Sequence, residues 1–277
     1  MSISVVTCIR NQEPSFFMEC AASIVAQDEV AEWIVVDDGS TPEAALFHKK
    51  VIESVPSRIR TNFLRLKRSY GLSIARNIGL EATTGDWVVI LDSDDRLGKH
   101  LFSELTILPP TANVVCLEAI HFGQNFTEHR RIQRFAKLFR KYAGSSLDPF
   151  LWYDFYYHGL IARRELFFSI GGYSNELSVG EDQDILLRAV ESTYPEQVIF
   201  IPKVGYEYRW NPNGVCETLW SDVLKNYTKT MLDAATRRSA EFIECRYGGT
   251  KEIDGAVVDY YQYQTKNGNW CNWVDLL

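Results

Sequence analysis

The run Trp87-Val88-Val89-Ile90-Leu91-Asp92 is apolar at five of its six positions, and three carboxylates, Asp92, Asp94 and Asp95, then arrive within four residues. Carboxylates this close repel one another, and the cluster costs free energy unless a cation or a donor offsets it. A D-x-D-D arrangement at a strand end presents oxygen ligands to a hard divalent cation and leaves positions open for phosphate oxygens. Mg2+ or Mn2+ held there stabilises a departing diphosphate as a Lewis acid. The plain alternative is an Asp-rich turn that caps the next helix.

Two further acidic sites stand in register with this one. "IVVDDGST" (34–41) ends an apolar run in Asp37–Asp38, and its Gly-Ser-Thr turn suits a helix cap. "EDQDILLRAVES" (181–192) reads as a helix whose first turn carries Glu181 and Asp182, where the macrodipole favours acids. Those two residues serve either as a cap, worth about 1 kcal/mol, or as a general base for a hydroxyl proton, contributing about 10²–10⁴-fold. The cysteines, Cys8, Cys20, Cys116, Cys216, Cys245 and Cys271, form no C-x-x-C pair, so isolated thiols are expected and a zinc site is not. No H-x-x-E-H pattern points to a histidine metal site.

The elements that must position these residues alternate. Strands are expected at 2–8, 32–39, 61–67 and 86–91, with helices at 16–27, 42–54 and 71–82 between them. "IVVD" and "WVVIL" do not alternate polar and apolar, so both faces are covered, as in a parallel sheet between helices. Such repeats build a doubly wound α/β sheet, whose ligands bind at the carboxyl ends of the strands. The two acidic strand ends would then lie across one crevice. Further on, strands are expected at 112–123 and 197–210, and strand, short helix and glycine turn from 156 to 173. A long helix is expected at 221–248, followed by a tail with little periodicity.

Composition sets outer bounds. The hydrophobic fraction of 46% and charged fraction of 23% are those of an ordinary soluble domain, and the net charge of −7 argues against a nucleic-acid partner. "MSISVVTC" does not read as a secretory signal, and no window approaches the ~18 apolar residues of a spanning helix. The expected setting is cytoplasmic.

Taken together, the D-D-G-S-T turn, the block "YGLSIARNIGLEATTGDWVVILDSDD" (70–95) and the glycine turn leading to G-E-D-x-D (171–184) resemble the inverting, GT-A-fold nucleotide-sugar glycosyltransferases of the family 2 type. The resemblance covers roughly residues 2–210. It implies a GT-A catalytic domain over 1–215, with a nucleotide-binding half (1–110) and an acceptor half (111–215), and a C-terminal helical extension over 216–277. It implies transfer of a sugar from a nucleotide-diphospho-sugar, usually UDP-linked, with Mg2+ or Mn2+ as cofactor. Asp38 would bond the base, with Cys8 and Arg10 beside it, and Arg76 would lie near the phosphates. Asp92 would reach the ribose or the metal, Asp94 would be the principal metal ligand, and Asp95 would back the metal-holding acids or help position the sugar. Asp182 would be the general base and Glu181 a contact to donor or acceptor. The competing reading is a GT-A-like domain that binds sugars or nucleotides without catalysis.

Two departures and two acceptor features complete the reading. The first strand ends in "TCIRN", with Arg10 before Asn11, where many members carry a polar Tyr-Asn pair. The region after the expected catalytic helix, "YEYRWNPNG", keeps Arg209 but lacks the family's histidine, which leaves the third metal ligand open among Trp210, Asn211 and Asn213. "HRRIQRFAKLFRKY" (129–142) is basic with apolar residues at helical spacing. It suits a peripheral contact with the inner membrane face, a grip on an acceptor phosphate, or a solvated helix packed on its apolar stripe. "DPFLWYDFYYHG" (148–159) holds six aromatics, Trp152 among them, and His158; it lines a sugar subsite or packs in the core. The acceptor is left as a carbohydrate, a lipid-linked or a small-molecule hydroxyl.

Overall fold

A computed structural model describes residues 1–99, 101–123, 127–130, 159–211, 242–253, 256–265 and 270–272, with isolated positions between 136 and 140 and between 222 and 234. The chain runs β1 (Ile3–Ile9), α1 (Pro14–Val25), β2 (Val30–Asp37), α2 (Pro42–Glu53), β3 (Arg60–Arg65), α3 (Leu72–Glu81) and β4 (Trp87–Ile90). It continues through β5 (Arg96–Leu97), α4 (Leu101–Leu105), β6 (Val114–Phe122), β7 (Thr127–Arg130), β8 (Ile161–Arg163), α5 (Arg164–Ser169), α6 (Glu181–Glu191) and β9 (Val198–Arg209).

One sheet has the order β3-β2-β1-β4-β8-β6-β9-β5, and β7 also pairs with β6, along Ala119–Phe122. β1, β2, β3 and β4 pair in parallel. β8 is antiparallel to both β4 and β6, and β6 is parallel to β9, so six of the nine described strands run one way. Only β5, β7 and β8 oppose them. The expected doubly wound sheet is therefore present, with its purely parallel part confined to the N-terminal half.

Successive strand residues point to opposite faces, and both faces are dry. Val6, Ile34, Val36, Val88 and Ile90 join one core with Ala75 and Leu80 of α3 and Ile185–Leu187 of α6. Val5, Trp33, Val35, Trp87 and Val89 join the other with Phe17, Cys20 and Ile24 of α1 and Ile52 of α2. Unbroken apolar runs such as "IVV" and "WVVI" follow from this two-sided burial. Pro14 and Pro42 start their helices, where the missing N–H has no partner to lose. Thr41 caps α2 by accepting from the Ala44 N–H at 3.3 Å, the cap expected of the Gly-Ser-Thr turn.

The C-terminal region departs from expectation. Helical positions occur at 222, 225–226, 229–230 and 233–234, but Phe242–Ile253 is strand β10, which ends the expected 221–248 helix early. β10 pairs antiparallel with β11 (Ala256–Thr265), and β11 with β12 (Trp270–Asn272), so the tail expected to lack periodicity holds a three-stranded sheet. Of the basic 129–142 segment, His129 and Arg130 belong to β7, while 136, 139 and 140 are helical and the rest lies outside the described residues. No helix among the described residues is long and apolar enough to cross a membrane.

Glu32 on β2 is a buried carboxylate that motif reading passed over. It accepts from Ser4 Oγ at 2.5 Å, Thr84 N–H at 2.9 Å and the Arg60 guanidinium, and so ties β1, β3 and the turn before β4 together. Burial by itself raises its pKa, but these donors outweigh burial and hold it below its ordinary value of 4.5. A carboxyl depressed in the folded state contributes stability above its unfolded pKa and loses it as pH falls through the folded one. The Glu32→Gln variant should therefore lose less stability than wild type on acidification below about pH 4.5, as read by urea unfolding at a series of pH values.

Candidate active site

Because β1, β2 and β4 are parallel neighbours, Asp37–Asp38 and Asp92–Asp95 emerge at the same sheet edge, on either side of the end of β1. The D-D-G-S-T turn shapes that edge. Asp37 Oδ1 accepts from Ser40 N–H at 2.7 Å, and Ser40 Oγ accepts from Asn11 N–H at 2.9 Å. Asp38, 6% exposed, accepts from Ser69 Oγ at 2.6 Å, Tyr70 N–H at 2.7 Å and Gly71 N–H at 3.0 Å. Gly39 has φ +76°, and a Cβ there would run into the Arg68 backbone, so only glycine fits between the two acids' loops. Asp38 thus holds the loop that leads into α3, a role the motif reading did not give it.

Arg76 of α3 is the centre of charge. Its guanidinium, 5% exposed, donates from Nη2 to Asp92 Oδ1 at 2.7 Å and from Nη1 to Glu181 Oε1 at 2.6 Å, and it lies 5.1 Å from the Tyr173 ring centre. The next residue, Asn77, clamps the glycine turn before α6: its Nδ2 donates to Tyr173 O at 2.9 Å and its Oδ1 accepts from Tyr173 N–H at 2.8 Å. At Gly172, φ +69°, an added Cβ would lie 2.5 Å from that same Oδ1. Ser73 Oγ donates to Leu177 O at 3.1 Å. One face of α3 therefore carries the whole 173–181 segment into place, and Gly180 in the left-handed conformation starts α6 with Glu181 turned inward.

Glu181 is buried and pushed up to about 7, by burial above all, with Arg76 opposing and Asp182 adding to the rise. Asp182 accepts from Gln183 N–H at 2.8 Å and lines a pocket together with Arg76, Asp92, Tyr173, Ile90, Leu160 and Gly159. Cys8, half-buried at the end of β1, has its thiol pushed up to about 12 by burial and so is neutral. Arg10 is exposed and makes no ion pair among the described residues.

Asp95 is 1% exposed and is fixed from behind: Tyr206 Oη donates to Oδ2 at 2.7 Å and Arg209 N–H to Oδ1 at 2.6 Å. Tyr206 Oη also accepts from Asp92 N–H at 3.2 Å. Asp95 supports the turn from its buried side, while Asp92 and Asp94 are half-buried. Asp94 is pushed up to about 6 by burial first and by the charge of Asp92 second, the condition that a cation relieves. Carboxylate oxygens of this kind are the ligands that Mg2+ or Mn2+ takes. Among the described residues no three His, Cys, Asp or Glu side chains converge into a closed cage. The Arg209 guanidinium is engaged on Glu19 and on the Asp94 carbonyl, so it does not fill the place of the missing histidine. Trp210 is 41% exposed. Trp152, His158 and Asn213 lie outside the described residues. Tyr206, Tyr173 and Glu19 were not foreseen; only the G-G-Y turn gave a signal for one of them.

Replacing Arg76 by Met leaves Asp92 and Glu181 without their shared cation. Removing one partner of a buried pair costs about 3–5 kcal/mol, so Arg76→Met should lower unfolding stability by that amount in urea titration. Adding Glu181→Gln should recover part of the loss, as a double-mutant cycle reads directly.

Comparison with known proteins gives the family. The family model of glycosyl transferase family 2 matches residues 4–170, more than half of the chain. The O-antigen biosynthesis protein RfbC of Myxococcus xanthus is 29% identical over 194 residues, which covers 69% of this chain and 14% of RfbC. The mannosyltransferase PcManGT from Pyrobaculum calidifontis, solved with GDP-Man and Mn2+, has a TM-score of 0.61 at 19% identity, covering 85% of this chain and 64% of that one. TarS from S. aureus, solved with UDP-GlcNAc, has a TM-score of 0.64 at 18% identity over 86% of this chain and 69% of that one. The two solved structures show the same fold, and the family match runs through both acidic strand ends to the close of α5. The chain belongs to glycosyl transferase family 2, with the GT-A fold.

Proposed function

We propose that the chain transfers a sugar from a nucleotide-diphospho-sugar, UDP-linked, to an acceptor hydroxyl with inversion at the anomeric carbon. The observation that carries this reading is that Asp182 lines the same pocket as Asp92 and Arg76, at the carboxyl edge of the parallel strands. The donors in the neighbouring structures, GDP-Man in PcManGT and UDP-GlcNAc in TarS, are of the proposed class.

The residues divide the work. Glu181 is held by Arg76 and is nearly closed to solvent, whereas Asp182 borders the pocket, which makes Asp182 the better base. Asp182 accepts the proton of the acceptor hydroxyl as its oxygen forms the bond to the anomeric carbon. The bond from that carbon to the diphosphate breaks on the opposite side, and the diphosphate departs with the electron pair. One displacement and no carboxylate nucleophile give inversion. Asp94 and Asp92 would hold Mg2+ or Mn2+, which supplies Lewis-acid neutralisation of the departing diphosphate when bound. Arg76 sets Asp92 and adds positive charge beside it. Cys8 and Arg10 border the nucleotide base at the end of β1, next to the loop that Asp38 secures.

Calorimetric titration with UDP and GDP, with and without Mn2+, tests the donor site. Wild type should bind UDP in a Mn2+-dependent way, and Asp94→Ala should lose that dependence; a preference for GDP would overturn the uridine assignment. Asp182→Asn should keep nucleotide binding while kcat falls about 10²–10⁴-fold. Wild-type turnover in Asp182→Asn would remove Asp182 as the base. Proton NMR of the fresh product should show the anomer opposite to that of the donor.

A further inference from the structure

We infer that Glu19 of α1 is a positioning residue for the Asp94 turn, acting through Arg209. The inference rests on the reading of Asp94 as a cation-holding carboxylate. It gives Glu19 a part in donor binding and Arg209 an indirect one.

The Arg209 side chain is 12% exposed and is fixed on every side. Its Nη2 donates to Glu19 Oε2 at 2.6 Å, and its Nε donates to the main-chain carbonyl of Asp94 at 2.7 Å. Its Cζ lies 4.2 Å from the Phe16 ring centre and 4.6 Å from that of Phe122. A guanidinium is a rigid planar fork. With Nη2 on Glu19 and two rings close to its Cζ, the guanidinium is held where Nε meets the Asp94 carbonyl. The peptide unit is itself planar, so fixing that carbonyl limits where the Asp94 side chain can aim.

The surrounding bonds hold other parts of the same segment. Ser93 Oγ donates to Gln12 Oε1 at 2.8 Å, Leu97 N–H to Ser23 Oγ at 3.0 Å, and Gln27 Nε2 to Gly98 O at 3.0 Å. The Arg209 contact is the one on the Asp94 carbonyl among the described residues. Glu19 also takes Arg96 Nη1 at 3.1 Å, and Arg96 lies 4.0 Å from the Phe122 ring centre. Glu19 therefore offsets two guanidiniums that share one aromatic ring. Without it Arg96 keeps its pair with Glu207 at 2.7 Å, whereas Arg209 loses the anchor of its outer edge.

The test compares wild type, Glu19→Ala, Glu19→Gln and, as a control on the same strand as Arg209, the exposed Lys203→Ala. Calorimetry measures Mn2+ binding to protein preloaded with UDP or GDP, whichever wild type takes, and nucleotide binding in EDTA; melting curves are recorded alongside. Glu19→Ala should weaken Mn2+ binding about tenfold, with nucleotide binding in EDTA and the melting temperature near wild type. Glu19→Gln, which keeps an oxygen acceptor for Arg209, should fall between, and Lys203→Ala should match wild type. Wild-type Mn2+ affinity in Glu19→Ala overturns the inference. So does an equal loss of binding in EDTA or a lowered melting temperature that accounts for the effect, because Glu19 would then serve the fold alone. A wild-type protein that binds neither nucleotide with Mn2+ overturns the donor-site reading first, before any variant is compared.

Discussion

The ion bridge of Arg76 is the constraint on which the site depends. Asp92 comes from the end of β4 and Glu181 from the start of α6, and both carboxylates reach the same guanidinium, 2.7 and 2.6 Å from its terminal nitrogens. Two acids from distant segments would otherwise repel across a poorly hydrated space. Arg76 converts that repulsion into a connection between the acidic turn after β4 and the helix that carries Asp182. The cation in turn is held by α3, whose neighbouring Asn77 and Ser73 fasten the 173–177 backbone. The short motif A-R-N is thus a single clamp: one residue for charge, the next for the turn that brings the charge its second partner.

The other acidic strand end works by a different principle. Every member of D-D-G-S-T serves the local structure. Asp37 bonds Ser40, Asp38 holds the 69–71 loop, Gly39 closely approaches Arg68, Ser40 takes Asn11, and Thr41 caps α2. These bonds join the ends of β1, β2 and β3 into one edge. Asp37 Oδ2 is buried with His48 Nδ1 3.8 Å away, too long for a hydrogen bond, so this acid is held mainly through its other oxygen.

Much of this was legible in the chain. The alternation of apolar runs with amphipathic stretches located β1 to β4 and α1 to α3 to within a few residues, because burial on both faces leaves an unmistakable apolar run. The convergence of the acidic ends followed from parallel pairing alone. What was hidden had partners far away in sequence. Nothing in "GYEYR" marks Tyr206 as the donor to Asp95, or Glu19 as the anchor of Arg209, since each bond exists only after the sheet is assembled. The C-terminal helix was extended too far for a related reason. The stretch from Phe242 onward is compatible with helical spacing, but pairing with the Tyr- and Val-rich β11 decides its conformation, and strand preference is set by such neighbours.

The backing of the acidic turn has a consequence for how the protein comes into being. Asp95 finds its hydroxyl and amide donors 111 and 114 residues downstream, on β9. A ribosome that has delivered β1 to β4 has produced most of the acidic sheet edge, yet the turn at its centre still lacks the strand that satisfies its innermost carboxylate. Only when Tyr206 and Arg209 have emerged can that acid be enclosed. The acidic turn is therefore completed by the last strand of the sheet and is not a property of the first half alone.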